Sequence, residues 1–298
     1  MNVLEVVELS KSFGDIKAVD DLSFKVNRGN IYGLLGVNGS GKSSTIRLIL
    51  NLISPDYGSI LINGKKSSNG NLILRKKIGA LIERPDFYLY LSANKNLQIL
   101  LKYSGLPPDK KKIQETLEIV GLLKYQYKKI GIFSQGMKQR LGIAQAIIHD
   151  PDIIILDEPF NGLDPQGIVD IRNLVGRLSQ EFRKTIILSS HMLKEIELIS
   201  DRMLIMNEGR AVAEGKVEDL LGAYKARIRI RVSSVSDAIN TLKKINYNKV
   251  KILNEREIIC QVKEEEIPKV LRILLENRIS VFNVIPERSL EDYFMSLV

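Results

Sequence analysis

Short apolar runs alternate with stretches of helical period from the start of the chain to about residue 215. Residues 3–9 and 22–26 have strand character, and residues 30–36 (NIYGLLG) form a short apolar strand that ends in glycine. Residues 42–52 (KSSTIRLILNL) carry a helical pattern that stops before Pro55. Strands are predicted again at 58–62 and 78–82, and a mostly helical stretch over 92–129 is broken at 105–109 (GLPPD). Another helix is predicted over 136–149, ending before Asp150-Pro151. The runs at 153–157 (IIILD) and 185–190 (TIILSS) are those of strands covered on both faces. A hairpin at 203–206 and 211–213 closes this part around NEGR. The pattern predicts an α/β domain over residues 1–220, with a mainly parallel sheet and a helical subdomain inserted near 90–150.

The pattern then changes. RIRIRV (227–232) alternates strictly, a helix is predicted at 235–245, and strands at 249–254 and 257–263. A helix at 266–277, a strand at 279–285 and a closing helix over SLEDYFMSLV (289–298) follow. Residues 221–298 are therefore expected to form a small, separate α+β domain. No internal repeat is visible in the first part.

The chain has 298 residues, 44% of them hydrophobic, enough for one large domain and one small one. Its net charge of +9 is scattered in short clusters such as Lys65-Lys66, Arg75-Lys76-Lys77, Lys110-Lys111-Lys112 and Lys128-Lys129. No aromatic residues alternate with these clusters as base stacking requires, so nucleic acid is not the expected partner. A solvated basic surface, or contact with anionic lipid headgroups, accounts for them. The single cysteine, Cys260, lies in the apolar run IICQV and is expected to be a small buried residue. A disulfide framework is impossible with one cysteine, which suits the cytoplasm. No run of about 18 apolar residues is present to span a bilayer. The first residues lack the basic-then-apolar build of a signal peptide. If the chain acts in transport, another chain is expected to supply the channel.

Three motifs carry chemistry. In GVNGSGKSS (36–44), Gly36, Gly41, Lys42 and Ser43 fit G-x-x-x-x-G-K-[ST], and Asn38, Gly39, Ser40 and Ser44 complete the loop. Glycines let successive backbone N–H groups turn in around phosphate oxygens, and the loop runs into a helix whose N-terminus favours anions. Lys42 is expected to reach the β- and γ-phosphates of ATP, and Ser43 to bind Mg²⁺. In IIILDEP, the strand delivers Asp157 to orient Mg²⁺, and Glu158 follows as a general base on water. In FSQGMKQRLGIAQAI, Ser134 and Gly136 open a helix; alone, Ser134 is explained as an N-cap.

Taken together, these motifs resemble those of the ABC-transporter nucleotide-binding subunits, over residues 1 to about 220. FSQGM stands where that family writes LSGGQ, with Phe133, Gln135 and Met137 as departures. NGLD (161–164), ending in Asp164, corresponds to the D-loop; His191 in LSSHML sits at the switch-histidine position; Phe13 in KSFG matches the aromatic that stacks on adenine. His149, at a helix end before DPD, is expected to be a cap or dipole partner instead. The family places Gln after the strand at 78–82, whereas this chain has Glu83, expected near Mg²⁺, its waters or a basic residue of a partner. That Glu83, the GMKQRLGIA run and the appended tail are similar to the lantibiotic and bacitracin immunity and export branch.

The resemblance implies a P-loop NTPase fold of the ABC type and an ATPase that uses ATP and Mg²⁺ at the cytoplasmic face of the membrane. It implies a head-to-tail dimer of two copies, in which Lys42 and Ser43 of one face Ser134 and Gly136 of the other. It further implies integral-membrane permease subunits as partners and an antimicrobial peptide as cargo, the alternative being a general drug or small-molecule exporter. Soluble ABC ATPases of translation or DNA maintenance carry two ATPase units or a long coiled-coil insert, and neither is seen here.

Overall fold

Long amphipathic strands open the chain. The computed structural model describes residues 2–67, 76–83, 85–223, 227–245, 247, 250–262 and 264–287. It contains two compact units, Met1–Val217 and Glu218–Val298. In the first, β1 (Asn2–Phe13) and β2 (Ile16–Asn27) form an antiparallel hairpin, with Lys11 opposite Val19 and Phe13 opposite Ile16. Both strands run past the apolar positions that predict them. Their polar ends are held by backbone pairing, which a hydrophobic pattern does not register. After β3 (Ile31–Leu35) and α1 (Lys42–Ile49), β4 (Tyr57–Ile62) and β5 (Lys65–Lys66) complete a four-stranded sheet of order β2-β1-β4-β5.

The second sheet adds β6 (Ile78–Leu81), β7 (Ile153–Asp157), β8 (Thr185–Ser190), β9 (Arg202–Asn207) and β10 (Arg210–Lys216) to β3. Its order is β10-β9-β3-β8-β7-β6, parallel throughout except for the edge strand β10. Every residue of β3, β7 and β8 is buried, as strands covered on both faces must be. One continuous core joins Leu22, Phe24 and Val26 of the antiparallel sheet through Ile46 and Ile49 of α1 to Ile155, Ile187 and Leu204 of the parallel one. The phosphate-loop helix is thereby held between the sheets.

Between β6 and β7 lie α2 (Ala93–Tyr103), α3 (Lys110–Ile119) and α4 (Gln135–Ile147). The lysine run at the start of α3 opposes the helix dipole, and Asp109 offsets it by accepting the Lys111 and Lys112 N–H groups. Residues 120–129 are not helical beyond a 3₁₀ turn at Leu123–Tyr125, contrary to the expected helix. Gly121 takes φ 69° and Leu122 N–H donates back to Leu117 O at 2.7 Å, the left-handed stop that ends a helix. Asn51, at φ 56°, ends α1 in the same way with Leu52 N–H on Arg47 O, so that helix is shorter than its 42–52 pattern. α4 lies close on β6: a Cβ on Gly79 would stand 1.8 Å from Ala146 O. α5 (Pro165–Gln180), α6 (Leu193–Ile199) and α7 (Val217–Ala223) follow.

The second unit contains β11 (Arg227–Val232), α8 (Val235–Lys244), β12 (Val250–Asn254), β13 (Glu257–Gln261), α9 (Ile267–Glu276) and β14 (Val281–Glu287). The order β12-β13-β11-β14, antiparallel throughout, is the ferredoxin-like β-α-β-β-α-β arrangement. The alternation of RIRIRV turns Ile228, Ile230 and Val232 into a core with Leu242, Cys260, Val270 and Leu274. Burial there pushes the Cys260 thiol up to about 11. The helix expected at 289–298 lies outside the described residues.

Candidate nucleotide site

The loop between β3 and α1 is shaped by close approaches. A Cβ on Gly36 would stand 2.3 Å from Ser40 Oγ and 2.6 Å from Met206 O. Gly41 takes φ 103°, and a Cβ there would stand 2.3 Å from Ala18 O. Only glycine fits either place. Asn38 and Gly39 are exposed at the tip of the loop, and Ser44 lies half-buried in the first turn of α1. Ser40 Oγ is buried and has no hydrogen-bond partner among the described residues. A buried hydroxyl left unpaired is costly, so a loop with that donor facing in fits an anion.

Lys42 is buried, and its Nζ donates to Gly36 O at 2.8 Å and Val37 O at 3.1 Å. It also stands 3.5 Å from Glu158 Oε1. His191 Nδ1 lies 2.8 Å from Glu158 Oε2. A carboxylate only accepts, so Nδ1 carries the proton of that bond. Glu158 is thus gripped from both sides, by an ammonium and by an imidazole.

Asp157, 1% exposed at the end of β7, accepts from Ser43 Oγ at 3.3 Å and from Ser189 Oγ at 2.5 Å. Ser43, Asp157 and Glu158 line a cavity of 390 Å³ with Glu83, Asp86, Gln135, Gln139 and Asn161. No group of three or more His, Cys, Asp or Glu side chains suited to a metal occurs among the described residues. A hydroxyl and one buried carboxylate suit Mg²⁺, which takes few protein ligands and completes its shell with water and phosphate.

Glu83 reaches this cavity, but its carboxylate pairs with Arg47 of α1. Phe13, Ser134, Gly136 and Asp164 stand outside these contacts. Phe13 is 50% exposed, with Lys11 Nζ 5.6 Å from its ring centroid. Its strand end is pinned by Asp56, which accepts from Lys11 Nζ at 2.8 Å and from Ser12 N–H at 2.7 Å. The Lys11 hydrogen bond, followed by the Ser12 one, holds the Asp56 carboxyl below its ordinary range. Ser134 caps α4 by accepting Met137 N–H at 3.2 Å, and nothing lies within 4 Å of a Cβ on Gly136. Asp164 caps α5 by accepting Gly167 N–H. His149 caps no helix: its Nε2 meets Ile78 O of β6 at 3.1 Å, and burial lowers its pKa. The parallel sheet brings β6 alongside the end of α4, and that proximity decides its partner.

The ABC transporter profile matches residues 19–161. Over 298 residues the chain is 38% identical to the bacitracin transport ATP-binding protein BcrA of Bacillus licheniformis, covering 99% of this chain and 97% of that one. The chain belongs to the ABC transporter ATP-binding proteins. It is also 37% identical to the lantibiotic transport ATP-binding protein SrtF of Streptococcus pyogenes, over 71% of this chain and 90% of that one. The solved cbiO1 of Clostridium perfringens superposes with a TM-score of 0.68 at 28% identity, covering 82% and 95% of the two chains. This ABC subunit binds and hydrolyses ATP. No described helix of it is long and apolar enough to cross a membrane.

Motif reading of the ABC subunit missed Ser189, Arg47 and Asp56. Ser189 carries a signal, a hydroxyl at the buried end of an apolar strand two residues before His191. Arg47 and Asp56 carry none, because only the fold sets them beside Glu83 and Phe13. Every residue assigned here to ATP lies within the first unit. A chain ending at Gly222 is therefore expected to bind ATP with similar affinity, measured by nucleotide titration. Loss of binding in a truncation still folded by circular dichroism would assign the tail a part in the site.

Proposed function

We propose that this ABC subunit powers expulsion of an antimicrobial peptide through a separate membrane permease, working at the inner face of the membrane as a head-to-tail pair of copies. Support for the cargo class comes from the end-to-end match to a bacitracin transport ATP-binding protein, second unit included. Support for the chemistry comes from the grip on Glu158. ATP entering the loop offers phosphate oxygens to Lys42 in place of Gly36 O, Val37 O and Glu158 Oε1. The carboxylate, released on that side and still held by His191, accepts a proton from the water that attacks the γ-phosphorus, while the bond from that phosphorus to the β–γ bridging oxygen breaks and ADP leaves. Ser43 and Asp157 would hold Mg²⁺, which when bound neutralises charge developing on the phosphates. Phe13, exposed at its hairpin tip, stacks on adenine. Ser134 and Gly136 present the N-terminus of α4 to the γ-phosphate held by the partner copy, and Asp164, at the N-terminus of α5, takes the D-loop place in the same interface. ATP thereby closes the pair and hydrolysis opens it, which drives the permease.

Glu83 links the site to the permease in this reading, since it lines the same cavity as Ser43 and Asp157 and is largely exposed. The test is resistance to bacitracin and to a lantibiotic in a sensitive host carrying the subunit with its permease. The parent is expected to raise the inhibitory concentration, Glu83→Gln to do so in part, and Glu83→Ala not at all, while isolated ATPase activity of Glu83→Ala falls only modestly. Resistance to small drugs but not to peptides would overturn the cargo class. Full resistance in Glu83→Ala would remove Glu83 from the coupling route.

A further inference from the structure

β8 is apolar and buried up to its last residues, where Ser189 is fully buried beside Ile187 and Leu188. A hydroxyl in such a place is costly unless bonded, and an apolar side chain of similar size would fill the space. Ser189 uses its hydroxyl both as donor and as acceptor. It donates to Asp157 Oδ1 at 2.5 Å, and its oxygen accepts Glu158 N–H at 2.9 Å. The direction is set by chemistry: the Asp157 carboxylate only accepts, so the hydroxyl proton lies there and the oxygen lone pair is left for Glu158.

Glu158 needs that bond. Its backbone has φ 48°, a left-handed conformation that residues with side chains rarely adopt and that persists only where neighbours hold it. Its carboxylate is held by His191, two residues beyond Ser189 on the same segment. The end of β8 thus grips the backbone of Glu158 through one residue and its carboxylate through another. We propose that Ser189 is a positioning residue, holding the Glu158 backbone so that its carboxylate meets the attacking water. This rests on the reading of Glu158 as the general base.

The experiment compares steady-state and single-turnover ATP hydrolysis by the full-length chain as parent, Ser189→Ala, Glu158→Gln and the double variant. Ser189→Ala is expected to lower kcat by about 10- to 100-fold, the scale of a misplaced reacting group, with KM for ATP within about twofold and a melting temperature lowered by roughly a few degrees, the cost of one lost hydrogen bond. The double variant is expected to be no slower than Glu158→Gln alone, because Ser189 acts through Glu158. Parent-like kcat in Ser189→Ala overturns the proposal. So does a loss that comes with a larger fall in melting temperature and weakened ATP binding, which assigns the hydroxyl to structure. Full multiplication of the two losses in the double variant also overturns it. Parent-like turnover in Glu158→Gln sinks the general-base reading itself. Slow Glu158→Gln beside parent-like Ser189→Ala sinks only the role of Ser189.

Discussion

Glu158→Gln is expected to slow ATP turnover by at least ~100-fold while leaving ATP binding intact, and to trap an ATP-bound pair of subunits. The amide keeps the size and hydrogen-bonding reach of the carboxylate but cannot take a proton from water. Its neighbours determine why binding survives. Lys42 contacts Gly36 O and Val37 O as well as Glu158, so the phosphate loop keeps its ammonium when the charge at position 158 is gone. Radiolabelled phosphate release measures turnover, and size-exclusion chromatography with ATP shows the trapped pair. Turnover at the parent rate would remove Glu158 from the role of base.

The second large effect is a recovery. Lys42→Ala and Ser134→Arg chains are each expected to be inactive alone and partly active when mixed. Lys42→Ala removes the buried cation that a phosphate needs in the loop. Ser134→Arg removes the oxygen that accepts Met137 N–H and puts a long cation at the start of α4, at a helix N-terminus where cations are disfavoured. If each site is built from the loop of one copy and α4 of the other, a mixed pair has one site with both lesions and one with neither. ATPase activity as a function of mixing ratio is the measurement. Absence of recovery at every ratio would argue against shared sites, and with it against the head-to-tail pair. The monomer geometry is compatible with sharing, since Gly136 has open space around it and, among the described residues, the Ser134 side chain bonds within its own helix.

Local chemistry explains why so much is legible in the amino-acid sequence. GVNGSGKSS is readable because Gly36 and Gly41 occupy places that no side chain can enter, so the constraint is written in residue type. Asp157 and Glu158 are readable because an apolar strand ending in acids is a local pattern, and parallel strands carry their ends to one edge of the sheet. The tail's alternation likewise predicts which side of β11 is inside, because the side-chain period of a strand is two.

Other features depend on neighbours distant in the chain. His149 pairs with β6 because α4 lies on that strand, and a helix-end position alone points to the wrong partner. Arg47 meets Glu83 across 36 positions, and Lys11 meets Asp56 across 45. Ser189 is the sharpest case. Its place near the end of TIILSS, two residues before His191, marks it without naming a partner, and only the pairing of β7 with β8 sets its oxygen between Asp157 and Glu158. The sequence by itself determined the glycine-rich loop after β3, the acid pair at the end of β7 and the α/β order, because each rests on residues close together whose chemistry or steric limits admit few alternatives. The tertiary structure alone decided which groups grip those residues, because a buried hydroxyl, ammonium or imidazole bonds to whatever the packing brings within about 3 Å, and no local pattern encodes that.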